Sequence, residues 1–156
     1  MTKLLLAIPL LLLLAIPLSA SASYQPTFES AIERAKQHLL DNRMRWLVEW
    51  AELEDITYKV DRRFVRGQGR ADVWAVDKTI YLYPQFSGSK QDAALLVHEW
   101  IHVMDGPNCT QHPWSEERAY WWHYQALELL GANSDNIRAR WLFYVNQPRG
   151  VEVCMK

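Results

Sequence analysis

The chain holds 156 residues at a formal net charge of −1, with 17 basic side chains against 18 acidic ones. That balance excludes an electrostatic footprint for nucleic acid or anionic lipid. The length allows one domain with a real core but not two.

Met1-Thr2-Lys3 supplies a positive charge, Leu4 to Leu18 is an apolar run, and Ser19 to Ser23 is a small-residue stretch. Together they describe a secretory signal peptide cut after Ala22, with Ala20 as the other candidate. A membrane anchor fits less well, because the run falls short of the roughly 20 residues needed to span a bilayer and Pro9 and Pro17 interrupt it. No cysteine follows the run, so it does not read as a lipid-attachment site. The expected organisation is a leader over residues 1–22 and a single domain over 23–156, secreted or periplasmic and without stable membrane anchoring. Loss of Lys3 leaves 16 basic against 18 acidic side chains, and all eight tryptophans remain. Both cysteines, Cys109 and Cys154, also remain, and in an oxidising compartment an even count points to a disulfide. Closing that loop contributes about 4 kcal/mol in the chain-entropy model.

Phe28, Ile32, Ala35 and Leu39 recur at helical spacing after Pro26-Thr27 and predict an amphipathic helix ending near Asn42. Met44, Leu47, Val48 and Ala51 continue it or begin a second helix. Ile56 to Val60 reads as a short strand, and Arg62 to Arg70 as a basic, glycine-bearing loop. Ala71–Val76 and Thr79–Tyr83 read as two strands joined at Asp77-Lys78. Ser89 then caps a helix, with Asp92 three residues on as an imperfect capping box. That helix stops at Asp105-Gly106-Pro107. Ser115 is the next N-cap, for a helix ending at Gly131, and a last helix runs from about Ser134 to Asn146. The fold class is α+β, with helices packed on a small, mainly antiparallel sheet.

The third of these helices contains His98-Glu99-Trp100-Ile101-His102. At 100° per residue the two histidines lie about 40° apart on one face, one turn from each other. Two imidazoles so placed can grip one Zn²⁺ at about 2.0–2.1 Å. Glu99 lies about 100° round from His98, placed for a base that takes a proton from a metal-activated water.

The stretch Thr79 to Leu130 resembles the zincin metallopeptidases, especially the gluzincin branch. The resemblance implies an edge strand, matched by Thr79-Ile80-Tyr81-Leu82-Tyr83, before the His-Glu-x-x-His helix. It also implies a third ligand, a glutamate from the next helix. Glu116-Glu117-Arg118-Ala119-Tyr120 matches the Glu-x-x-Ala pattern of small gluzincins, which makes Glu116 that ligand. Glu117, His112 and Asp105 remain alternatives, and Asp105 is also a candidate partner for a ligating histidine. The family's acidic residue four positions after the ligand is replaced by Tyr120.

His123, seven residues after Glu116, and Tyr124 are the candidates for steadying an oxyanion, with Tyr120 beside them. Tyr120, Trp121, Trp122 and Tyr124 alternatively pack the core. The expected function is an exported zinc peptidase, with one Zn²⁺ on His98, His102 and Glu116, Glu99 as general base, and a peptide or protein substrate. The alternative is a zincin-like protein that binds zinc, a protein partner or a cell-wall partner with little or no turnover.

Overall fold

The computed structural model describes residues 27–63, 72–74, 78–107 and 113–147. The leader, His112 and the Cys109–Cys154 pair lie outside the described residues. Helix α1 (Phe28–Asp41) starts on Thr27, whose hydroxyl accepts from the Ser30 N–H at 3.2 Å. It buries Ala31, Ile32, Ala35 and Leu39, the stripe its spacing demands. The chain breaks at Arg43, which takes φ +68°, so α2 (Arg45–Leu53) is a separate helix, burying Leu47, Val48 and Ala51.

Strands β1 (Thr57–Val60), β2 (Asp72–Trp74) and β3 (Thr79–Leu82) follow. The sheet order is β1-β3-β2, with β3 parallel to β1 and antiparallel to β2. Two expectations need correction here. The sheet is mixed rather than mainly antiparallel, and the strand before the His-Glu-x-x-His helix is central rather than at the edge. Thr79, Ile80 and Leu82 on β3 are all buried, whereas Thr57, Lys59 and Val60 on β1 are exposed. The strand with the greasier sequence takes the position with a neighbour on each side, and the more polar β1 is left at an edge.

Helix α3 (Lys90–Asp105) has the full capping box at its start. Buried Asp92 accepts from Ser87 N and Oγ at 2.9 and 2.8 Å, from Ser89 N at 3.0 Å and from the Tyr83 hydroxyl. One carboxylate thereby ties the β3 exit to the helix start. Gly88 lets α1 close on this loop: a Cβ there would stand 2.2 Å from the Ala31 carbonyl oxygen. Eleven of the sixteen α3 residues are buried, so the helix runs through the core rather than along the surface. Fully buried Trp100 gives its indole N–H to the Tyr58 hydroxyl at 2.9 Å.

Helices α4 (Pro113–Leu130) and α5 (Asp135–Val145) complete the described residues. Helix α4 packs along α3, and α5 along α4. The α4–α5 seam is aromatic: Tyr120 stacks on Tyr144, and Trp141 meets both Tyr124 and Trp121. Trp121 is exposed and lines the α4–α5 seam, whereas Trp122 is partly buried and packs against the core. Among the described residues no helix is long and apolar enough to cross a membrane.

Candidate metal centre

Because α3 is buried on nearly every side, its polar residues at positions 98, 99 and 102 are buried too. Such groups need partners, since an unmet polar atom away from water costs about 1–3 kcal/mol. Gly106, with φ +87°, ends the helix and caps the His102 and Val103 carbonyls. The chain then returns as α4, which brings Ser115 and Glu116 back beside His102.

His98 Nε2 and His102 Nε2 face each other at 3.1 Å. One Glu116 oxygen lies 3.8 Å from His98 Nε2 and the other 3.5 Å from His102 Nε2. An ion held at 2.0–2.1 Å by tetrahedral donors would set neighbouring donors about 3.3 Å apart, close to the 3.1 Å between the two histidine nitrogens, and with one atom from each residue the three donors lie within 4.8 Å of one another. His98, His102 and Glu116 can hold a metal ion.

The hydrogen bonds around the cluster favour the same conclusion. Ser115 is fully buried inside the first turns of α4, because the helix begins two residues earlier, at Pro113. The expectation that Ser115 caps this helix is therefore corrected. Its hydroxyl instead donates to Asp105 Oδ2 at 2.8 Å, leaving its oxygen to accept from His102 Nδ1–H at 3.0 Å. Asp105 is held in turn by Arg118. With its proton fixed on Nδ1, His102 directs the Nε2 lone pair into the cluster. Asp105 thus supports a ligand histidine through Ser115, and it does not belong to the donor group.

Burial drives the electrostatics. It pushes His98 well below its ordinary value, helped by the neighbouring His102 and His123, and lowers His102 to about 4. At neutral pH both rings are uncharged, as metal ligands must be. Burial also raises Glu116 to about 7, a shift partly opposed by Arg140.

Glu99 is buried on the same helix, and its charge helps raise the Tyr120 hydroxyl, after burial, above the ordinary tyrosine value. Tyr120 lies with its ring 4.6 Å from that of His98, and His123 with its ring 5.6 Å away. His123 is buried, its Nδ1 has no hydrogen-bond partner among the described residues, and burial followed by the Arg140 charge lowers it to about 3.

Tyr124 stacks on Trp141 in the α4–α5 seam. Relative to Glu116 on α4, His123 lies about 20° round the helix, Tyr120 about 40° and Tyr124 about 80°. The drift carries Tyr124 away from the site and leaves Tyr120 in it. Glu117, about 100° round, lines a separate cavity of about 440 Å³ with Trp114, Arg118, Trp121 and Trp141. Arg140 and Tyr144 of α5, absent from the sequence expectations, also reach the cluster. Both are electrostatically coupled to Glu116. Their only signal is their spacing of one helical turn.

Compared with known proteins, the chain matches no family model, no curated protein and no solved structure.

Proposed function

We propose that this chain is an exported zinc-dependent peptidase of the zincin type. The observation that supports it most is the convergence of His98 Nε2, His102 Nε2 and the Glu116 carboxylate, with the Glu99 carboxyl buried on the same helix. Two imidazoles and one carboxylate, leaving a fourth position open, form the donor set of catalytic zinc. Zinc held there by His98, His102 and Glu116 would lower the pKa of a water and polarise a carbonyl.

The remaining work falls to the protein. Glu99 takes a proton from the attacking water and hands it to the leaving amine. Ser115 and Asp105 hold His102 in one tautomer and orientation. Tyr120, whose hydroxyl stays protonated, offers a hydrogen bond to the developing oxyanion, with His123 behind it. The walls of Tyr120, Tyr144 and the buried α3 side chains keep bulk water from the reacting groups.

The test is the zinc-loaded Glu99→Gln variant on a peptide library. Full zinc occupancy with turnover lowered by about 10²–10⁴-fold is expected. Turnover equal to wild type would remove Glu99 from the mechanism. Zinc binding with no cleavage by the wild-type chain would leave a metal-binding protein and refute the peptidase.

A further inference from the structure

One cation at the centre is unused by these steps. Arg140 Nη1 donates to the Tyr120 hydroxyl at 3.3 Å, and its guanidinium lies 5.9 Å from the centre of that ring. The same ring packs 4.6 Å from His98, so Arg140 is tethered to the wall of the metal centre. Tyr144, one turn further along α5, stacks on Tyr120 at 5.4 Å and keeps the pair in place. The Arg140 charge is felt by His98, Glu116 and His123 alike. Yet Arg140 is exposed, and among the described residues no carboxylate pairs with it.

Charge balance gives that isolation a meaning. Among the described residues the Arg140 guanidinium is hydrogen-bonded to a neutral phenol rather than to a carboxylate, which leaves its charge available to an anionic ligand at the same site. A guanidinium presents a planar fork that receives a carboxylate through two parallel hydrogen bonds. The Tyr120 hydroxyl accepts from Arg140, which holds the guanidinium at the site and leaves the single tyrosine proton for the oxyanion.

From this geometry we propose that Arg140, held in place by Tyr120, receives the free C-terminal carboxylate of a peptide. The centre then acts at the end of a chain rather than within it. This specificity rests on the peptidase reading above and names its substrate class. An internal segment offers only neutral amides to Arg140 and leaves its charge unmatched, and a C-terminal amide is the small probe for that difference.

The experiment is a chemical-shift titration of the full, zinc-loaded chain, in the Glu99→Gln background to prevent turnover. The ligands are N-acetyl-trialanine as the free acid and as its C-terminal amide. The acid is expected to bind about tenfold more tightly, the low end for a charge-assisted pair because Arg140 is exposed. Arg140→Gln should abolish the gap and Arg140→Lys should restore part of it. Raising the salt should narrow it. Equal affinities for acid and amide, a gap that survives Arg140→Gln, or no binding of either form would each overturn the proposal. Acid-selective binding beside a wild-type chain that cleaves nothing would overturn the peptidase reading and leave the carboxylate receptor standing.

Discussion

Ser115→Ala removes one oxygen that two buried groups share. His102 Nδ1–H loses its acceptor and Asp105 Oδ2 loses its donor, at sites where Ser115 itself is fully buried. Alanine leaves no atom able to replace either bond, and the gap is too small to admit ordered water freely. Removing the support of a ligating histidine lowers metal affinity about 10- to 100-fold, equivalent to about 1.4–2.7 kcal/mol. Asp105→Asn keeps an acceptor oxygen but weakens the Arg118 pair, so a smaller loss of about three- to tenfold is expected, within the range for a charge-assisted bond. Because the two residues act in series on His102, the double variant should cost little more than Ser115→Ala alone. The assay is competition for zinc against a chromophoric chelator, with the thermal midpoint of the metal-free proteins measured in parallel. A lowered midpoint with zinc affinity within twofold of wild type would refute the relay. So would fully additive losses in the double variant.

Glu116→Gln should weaken zinc binding by at least about tenfold through loss of a charged ligand, while Glu117→Gln, on the other side of α4, should leave it unchanged. The reverse order in the chelator assay would contradict the assigned helix phase. Asp92→Ala strips the shared acceptor from Tyr83, Ser87 and Ser89. It should lower the unfolding free energy by about 3 kcal/mol or more, and a denaturant midpoint near wild type would contradict that. Stability of the metal-free protein should also fall as the pH drops from 6.5 to 4.5. In that window three buried histidines resist protons that the unfolded chain accepts. Their folded values lie below the ordinary 6.5, so their contribution is complete above 6.5 and lost on acidification. Glu116, raised from 4.5 to about 7, and Asp105, also raised by burial, oppose them with two groups against three. Denaturant titrations that show constant or rising stability on acidification would count against the buried, neutral histidines.

The histidine pair was legible because the relation between positions 98 and 102 is local: four residues on any helix share a face. The capping box at Ser89 was legible for the same reason. Ser115 was misread because capping preference is also local, and Pro113, a favoured first helical residue, starts α4 two positions earlier. That shift turned the hydroxyl inward, onto His102 and Asp105. The phase of Glu116 against Glu117 depends on how α4 is rotated against α3, which no single-helix pattern specifies. Arg140 was harder still. Helix α5 buries no residue, so no apolar stripe marks the face it turns to the site. The edge position expected for β3 was misjudged for a related reason: β1 pairs with β3 although β2 lies between them in sequence.

Elemental analysis of the purified full chain beside its His98→Ala variant tests the centre most directly. About one zinc per chain in the wild type, and little or none in the variant under the same dialysis, is the expected result. A folded wild-type chain that takes up no metal at neutral pH, or a His98→Ala variant that keeps its zinc, would contradict it.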